Sequence, residues 1–163
     1  MGIFDKNKFD TKKNDWSTPW EFFNPLNDEF SFTIDVAADD KNKKVNKFFN
    51  KEVDGLSQDW SNEVVWCNPP YGRGLPEWLK TGKSAAINQN CTSVFLVPAK
   101  TNTIWFHELC LTASEVRFVK GRPKFYNYSK EDKTAKYGLP IPLCLVIYRP
   151  NSSTCKIGTY DWN

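Results

Sequence analysis

The sequence predicts a single α/β domain built around a mostly parallel sheet, with helices packed on it. Short apolar runs typical of buried strands alternate along the 163 residues with segments in which apolar side chains recur at helical spacing. The length fits one domain with a sizeable core and leaves little room for a separate recognition domain. We therefore expect any structure that recognises a substrate to belong to this one domain.

The order of helices and strands follows from residue spacing and turn signals. A capping box at Thr18-Pro19-Trp20-Glu21, with proline at the first helical position, predicts a helix that runs to about Asp28. Residues 45–49 are expected to form a strand or an irregular segment. Apolar runs predict strands at 30–36, 64–67, 93–97, 115–119 and, as the final strand, 143–148, and helical spacing predicts helices at 75–89 and 102–111.

The two ends of the chain are expected to lie outside the domain, which we place at residues 15–150. Residues 1–14 are rich in Lys, Asn and Asp with few apolar positions, which is typical of a flexible arm or a solvated tail. Residues 151–163 are expected to form a C-terminal tail. The longest polar insertion covers residues 125–138, where tyrosines are interleaved with lysines.

Composition and cysteine pattern indicate a soluble cytoplasmic protein without a metal site. The five cysteines have no C-x-x-C spacing and the chain has one histidine, so we expect buried free thiols rather than zinc ligands or disulfides. No apolar stretch is long enough to span a membrane, and the N-terminus lacks a hydrophobic signal core. The formal net charge of +3 neither requires nor excludes a polyanionic partner. The seven tryptophans are expected to lie mostly in the core, and His107 to be structural.

The most informative motif is Asn68-Pro69-Pro70-Tyr71, which follows the predicted strand 64–67. The end of a buried strand is a common place for chemistry in α/β enzymes. Consecutive prolines stiffen the backbone, so the Asn68 side chain and the Pro69 carbonyl would form two fixed acceptors for a planar amino group. Tyr71 would offer an aromatic face on which a flat heterocycle can stack. An ordinary strand-terminating turn is the alternative that this motif alone leaves open.

Several short segments form an ordered series between about Asp15 and Tyr148. They are Trp16-Ser17-Thr18-Pro19, Ile34-Asp35-Val36-Ala37-Ala38, Asp54-Gly55-Leu56 with Trp60, Asn68-Pro69-Pro70-Tyr71, Val97-Pro98-Ala99-Lys100-Thr101 and Gly121-Arg122-Pro123. This series resembles the phage-type DNA N6-adenine methyltransferase (Dam-like) family. The resemblance implies a Rossmann-like fold that uses S-adenosylmethionine to methylate adenine N6 in double-stranded DNA after base flipping. It also implies a phage-encoded or prophage-encoded enzyme that acts in the bacterial host cell.

The resemblance also assigns several residues to the cofactor. Asp35 would lie near the methionine amino group, and Asp54 near the adenine amino group. Thr18 and Pro19 would lie near the methionine carboxylate, where a helix N-terminus also suits an anion because free N–H groups meet the positive end of the dipole. In the alternative interpretation, Asp35 and Asp54 cap strands or turns, and Thr18 caps the first helix. The full cofactor-binding set is Thr18, Pro19, Asp35, Ala37, Asp54, Leu56 and Asn68.

Basic and hydroxyl residues that follow the predicted strands would lie on the same rim as Asn68, where they are candidates for DNA phosphate contacts. The remaining basic residues fit a solvated face. Residues 125–138 would be the DNA-reading loop, and a mobile surface loop is the alternative. The catalytic residues are expected to be Asn68, Pro69, Pro70 and Tyr71, and the DNA-binding residues Arg73, Lys100, Thr101, Arg122 and Lys124.

Two alternatives to DNA adenine methylation stay open on the sequence. The motif would serve equally for another planar amino nitrogen, such as cytosine N4 or an RNA or protein amide. A degenerate relative would hold cofactor or DNA without turnover. The second alternative is suggested by Ala37-Ala38-Asp39-Asp40. In many methyltransferases a glycine follows the acidic residue of the first cofactor motif, here Asp35, and this segment has none. The intact Asn-Pro-Pro-Tyr motif argues against it.

Overall fold

The computed structural model of the chain describes residues 16–127 and 138–163. In this part of the chain a six-stranded sheet forms the centre, and a second sheet has two short strands. The elements in chain order are β1 (Trp16–Ser17), α1 (Trp20–Phe30), β2 (Ile34–Asp35), a 3₁₀ turn (Gly55–Ser57), β3 (Val64–Cys67), α2 (Leu75–Asn88), β4 (Thr92–Pro98), a π-helical turn (Phe106–Cys110), β5 (Glu115–Val119), β6 (Tyr126–Asn127), β7 (Leu143–Tyr148) and β8 (Lys156–Tyr160).

All central strands except β7 point in the same direction. The sheet order is β2-β3-β4-β7-β5-β8, and β2, β3 and β4 pair in parallel. β7 runs antiparallel to both neighbours, while β8 pairs in parallel with β5 at the far edge. The predicted α/β class with a mostly parallel sheet is therefore confirmed. The carboxyl ends of β2, β3, β4 and β5 meet at one edge of the sheet, where α/β proteins commonly bind ligands.

The core has two apolar clusters, because the side chains of β4 alternate between the two faces of the sheet. Phe95 and Val97 belong to a cluster that includes the buried side of α2. Val94 and Leu96 belong to a second cluster, which includes Phe22 of α1. The two helices therefore cover opposite faces of the sheet and hold the strand ends in place.

The tryptophans lie mostly in or against this core, as predicted. Trp60 and Trp66 are fully buried. Trp20 is the exception, with 46% of its surface exposed at the start of α1. The others that pack against the clusters are Trp16, Trp78, Trp105 and Trp162.

The predicted capping box is wrong. α1 begins at Trp20 with Pro19 as its N-cap, and no side chain caps it. The helix continues past Asp28 to Phe30, where Ser31 adopts a left-handed conformation (φ 54°) and donates its N–H to the Asn27 carbonyl at 2.8 Å. The predicted strand 30–36 is therefore reduced to Ile34–Asp35.

Two other predicted elements differ from the structure. Residues 45–49 take the irregular alternative and join β2 only through an isolated bridge between Asp35 and Phe48. The predicted helix 102–111 is shorter and ends in the π-helical turn, whose Leu109 carbonyl accepts a hydrogen bond from the buried Tyr148 hydroxyl at 2.8 Å. This long-range bond ties the turn to β7.

The prediction that residues 143–148 form the final strand is also wrong, because β8 follows within the predicted C-terminal tail. β8 lies at the sheet edge with mostly exposed side chains, so its sequence lacks the apolar run of a buried strand. Tyr160 fixes it by donating its hydroxyl to the Phe22 carbonyl at 2.7 Å. The predicted bounds of β3, β5 and β7 are confirmed. The predicted arm, residues 1–14, lies outside the described residues.

The cysteines are free thiols, and Cys67, Cys91, Cys110 and Cys144 are buried as predicted. Cys155 is partly exposed. Within the described ranges, no group of His, Cys, Asp and Glu side chains is arranged to hold a metal ion. No helix found among those residues has the length and apolar character needed to cross a membrane.

Candidate functional site

A small pocket opens where the carboxyl ends of β2 and β3 meet. Because the two strands are parallel neighbours, with Asp35 opposite Trp66, their last side chains are brought to one place. β1 and the segment after β2 close the other sides. The pocket is lined by Trp16, Ser17, Thr18, Asp35, Ala37, Asn42, Lys44, Trp66 and Asn68. Four residues of the predicted cofactor set, Thr18, Asp35, Ala37 and Asn68, are thus brought together.

Asp35 is a buried carboxylate in the lining of this pocket, with only 3% of its surface exposed. One carboxyl oxygen accepts the Ala37 N–H at 3.3 Å and the other accepts the Lys44 N–H at 3.0 Å. Burial raises the pKa of Asp35 to about 6, and these two backbone hydrogen bonds oppose the rise. Asp35 therefore holds the turn after β2 in place and also carries a negative charge above about pH 6.

Lys44 places a buried cation beside that carboxylate. Its exposed fraction is 8%, and its ammonium nitrogen lies 3.9 Å from the centre of the Trp20 ring. Burial lowers the pKa of Lys44 to about 8, while the negative charges of Asp35 and Glu21 oppose the decrease. Between about pH 6 and 8 the pocket therefore contains one negative and one positive charge, both largely shielded from water.

Thr18 is hydrogen bonded to Asn68 rather than to the first turn of α1. The Asn68 side-chain NH2 donates to the Thr18 hydroxyl oxygen at 3.2 Å, and Thr18 is 2% exposed. No described residue donates a hydrogen bond to the side-chain oxygen of Asn68. The contact fixes the amide with its nitrogen toward β1 and leaves its oxygen available as an acceptor.

The remaining residues of the Asn-Pro-Pro-Tyr motif differ in exposure. Pro69 is buried, Pro70 is exposed and Tyr71 is partly exposed. Tyr71 packs against both core clusters and donates its hydroxyl to the Leu96 carbonyl of β4 at 3.2 Å. Burial of this hydroxyl raises the pKa of Tyr71 well above its usual value, so it stays protonated. The ring is therefore anchored at one end beside Asn68.

Asp54 and Leu56 lie at the same edge of the sheet but do not line the pocket. Asp54 is exposed, has a left-handed backbone (φ 56°) and accepts the Leu56 N–H at 3.3 Å. Between them, Gly55 packs so closely on the end of β2 that a Cβ there would lie 2.2 Å from the Val36 carbonyl oxygen. This turn is fixed by the Trp60 ring N–H, which donates to the Gly55 carbonyl at 2.9 Å.

The predicted DNA-binding residues are exposed and lie in turns after β3, β4 and β5, at the edge that also carries Asn68. Among the described residues, none of the cations in this set forms an ion pair. Other lysines do: Lys80 pairs with Glu77 at 2.8 Å and Lys120 with Asp161 at 2.6 Å, as expected for a solvated face. The set comprises Arg73, Lys100, Thr101, Arg122 and Lys124.

The predicted DNA-reading loop, residues 125–138, is described only at its ends, since residues 128–137 lie outside the described part. Its first residues form β6, which pairs antiparallel with β1. β1 contributes Trp16 and Ser17 to the pocket lining, so the loop begins beside the pocket. His107 lies apart from the pocket, where its Nε2 is 2.7 Å from the Thr101 carbonyl oxygen.

Sequence reasoning missed Lys44 and Asn42. Both belong to the polar stretch 39–44, which the sequence indicates only as a short turn or helix. They reach the pocket because the following residues run back beside β2, where the Asp35 N–H donates to the Lys47 carbonyl at 3.0 Å. No local signal in the sequence identifies that return.

The chain is similar to known proteins along most of its length. Residues 5–161 match the family model described as DNA N-6-adenine-methyltransferase (Dam). The chain is 32% identical over 151 residues to a DNA N-6-adenine-methyltransferase of Haemophilus phage HP1 (strain HP1c1), covering 89% of this chain and 86% of the relative. It is also 32% identical over 113 residues to a DNA N-6-adenine-methyltransferase of Escherichia phage T1, covering 68% and 47% of the two chains. The chain therefore belongs to the DNA N-6-adenine-methyltransferase (Dam) family.

Proposed function

We propose that the protein methylates the N6 amino group of adenine in double-stranded DNA, with S-adenosylmethionine as the methyl donor. The names of its phage relatives support the reaction and the substrate. When bound, S-adenosylmethionine supplies an electrophilic methyl group on a sulfonium. The observation that carries the proposal is the Thr18–Asn68 hydrogen bond, because it orients a single amide acceptor in the lining of a charged pocket.

The pocket suits the amino-acid end of the cofactor. Asp35 is ionised above about pH 6 and would pair with an α-ammonium group, an interaction that a buried site strengthens. The Thr18 hydroxyl accepts from Asn68 and retains its own hydrogen for donation. Asp54, on the turn packed against the end of β2, would accept from the adenine amino group at the other end of the same cofactor. Leu56 and Pro19 would provide apolar contacts beside these two groups.

The alanines after Asp35 fit this arrangement without a glycine. The Ala37 N–H donates to Asp35, and Ala37 lines the pocket with only a methyl side chain. A small side chain here leaves room for a ligand to approach the end of β2. We therefore propose that the glycine-free first motif binds cofactor, and that the sheet is a short Rossmann-like methyltransferase sheet with its ligand at the carboxyl edge.

The target amino group would be held by Asn68 and Pro69. The Asn68 side-chain oxygen would accept a hydrogen bond from one N6–H and the Pro69 carbonyl oxygen from the other. These two bonds favour a pyramidal nitrogen with an available lone pair. This is catalysis by positioning and by polar groups already oriented in the folded protein, and it requires no strong base. Pro70 stiffens the turn that carries both acceptors.

DNA would approach the edge of the sheet that carries these acceptors. An adenine extruded from the duplex would stack on the anchored Tyr71 ring, since the amino group of a base within the duplex cannot reach Asn68 and Pro69. The exposed Arg73, Lys100 and Arg122, together with Thr101 and Lys124, would contact phosphates on either side. Residues 125–138, which begin beside the pocket, would read the surrounding sequence.

Replacement of Asn68 by alanine tests the proposal. The variant should fold and bind cofactor, and single-turnover methyl transfer to duplex DNA should fall about 10²–10³-fold, as when one preorganised polar partner is removed. Asn24→Ala, which changes an exposed asparagine of α1, is the matched control and should retain full activity. Near-normal transfer by a folded Asn68→Ala protein would contradict the proposed role.

A further inference from the structure

Lys44 is a buried lysine in the pocket that the predicted site leaves without a role. Lysines are rarely buried unless they are paired, because removing an ammonium from water is costly. Here Lys44 belongs to the pocket lining, and its ammonium nitrogen lies against the face of the partly exposed Trp20 ring. The position therefore preserves a cation at a cost to the fold.

The neighbouring carboxylate does not hold this ammonium through a direct ion pair. Asp35 takes its hydrogen bonds from the backbone N–H groups of Ala37 and Lys44 itself. Among the described residues, no carboxylate forms an ion pair with the Lys44 side chain. The ammonium has three N–H donors, and an aromatic face is a weaker partner for them than an acceptor oxygen. A ligand oxygen in the pocket would complete its environment.

We infer that Lys44 binds the α-carboxylate of the cofactor's amino-acid end while Asp35 binds its α-ammonium, so that the two residues together recognise a zwitterion. The inference rests on the proposed use of S-adenosylmethionine. The Trp20 ring packs against the Lys44 ammonium through its face. The cofactor carboxylate would thus have a charged partner in Lys44 besides the hydroxyl of Thr18, which lines the same pocket.

Charge complementarity favours an amino acid over a phosphate at this position. A DNA phosphodiester would bring one negative charge and no cation next to the Asp35 carboxylate, which is unfavourable in a buried pocket. An amino-acid zwitterion brings one charge of each sign and matches the pair that is already present. Lys44 is therefore assigned to the cofactor and not to the DNA backbone.

The test compares two ligands that differ in one group. S-adenosylhomocysteine carries the α-carboxylate, whereas its decarboxylated analogue has the same nucleoside, thioether and amine. The wild-type protein should bind S-adenosylhomocysteine about 10–100-fold more tightly by calorimetry, the range expected for a charged hydrogen bond. Lys44→Met should abolish most of this preference and leave the affinity for the decarboxylated analogue nearly unchanged, while Lys44→Arg should retain part of it.

Controls separate this role from a structural one. Lys43→Met changes the neighbouring lysine, which pairs with Asp40 at 3.3 Å, and should keep the full preference. Lys44→Gln is a second neutral variant should Lys44→Met fold poorly in thermal unfolding. Equal weakening of both ligands, or an unchanged preference in a folded neutral variant, would overturn the assignment. Loss of DNA affinity with normal S-adenosylhomocysteine binding would place Lys44 on the DNA instead.

The same experiment distinguishes the inference from the proposed function. If the wild-type protein binds both ligands equally, the cofactor site stands and the carboxylate contact is wrong. If the wild-type protein binds neither ligand, the proposed use of S-adenosylmethionine fails, and the assignment of Lys44 fails with it.

Discussion

Lowering the pH from 7 to 5 is expected to weaken the binding of S-adenosylhomocysteine, through protonation of the buried Asp35 carboxylate. Burial raises the pKa of Asp35 to about 6 from a usual value of 3.8. A carboxyl group with a raised pKa is neutral below that pKa and charged above it. The proposed partner of the ligand ammonium is therefore present at pH 7 and mostly absent at pH 5.

The size of the effect follows from the fraction of Asp35 that is ionised. With a pKa of about 6, roughly nine-tenths of the carboxyl groups are charged at pH 7 and roughly one-tenth at pH 5, so affinity should fall about tenfold. Lys44, the nearest cation, has a pKa of about 8 and stays charged over this range. Asp39 contributes a weaker negative influence, and the adjacent Cys67 thiol, whose pKa burial raises, stays neutral.

Calorimetry at several pH values between 5 and 7 measures this dependence. Asp35→Asn should bind more weakly at pH 7 and show a flat profile, because its side chain does not titrate. Asp40→Asn, which changes an exposed carboxylate near the same turn, should keep the tenfold dependence of the wild type. Thermal unfolding at each pH verifies that the proteins remain folded. A flat wild-type profile, or the same slope in Asp35→Asn, would refute the role of Asp35.

Two further predictions concern Asn68 and the DNA-binding edge. Thr18→Val keeps the side-chain shape but removes the oxygen that accepts from the Asn68 amide, so single-turnover methyl transfer should fall about 3–10-fold. Thr18→Ser keeps that oxygen and should stay near the wild-type rate. Equal rates for Thr18→Val and the wild type would show that the bond does not position Asn68. Neutralising Arg73, Lys100 and Arg122 together should reduce the slope of log affinity against log salt concentration by about 2–3, since each lost phosphate contact removes about 0.9. An unchanged slope would place the DNA on another surface.

The parts of the site that the sequence predicts are those fixed by strand ends. Asp35 and Asn68 each follow a short apolar run, and parallel neighbours must end at the same edge of the sheet. Residue pattern is therefore sufficient to place these two side chains together.

The parts that the sequence does not predict depend on contacts between distant segments. Thr18 looks like a helix cap, yet its hydroxyl is taken by Asn68, fifty residues later in the chain. Lys44 enters the pocket because an irregular segment returns beside β2, which no periodicity indicates. β8 lies at an exposed edge and is held by the Tyr160 hydroxyl, so it lacks a buried apolar pattern. Long-range hydrogen bonds, and not local propensity, decide all three positions.

Analysis of the methylated nucleoside tests the central claim most directly. Duplex DNA would be incubated with the protein and S-adenosylmethionine carrying a labelled methyl group, digested to nucleosides and examined by mass spectrometry, with Asn68→Ala as the inactive control. We predict label in N6-methyladenine for the wild type and near-background label for the variant. Label in N4-methylcytosine, or no labelled nucleoside from a folded protein that binds S-adenosylhomocysteine, would contradict the account.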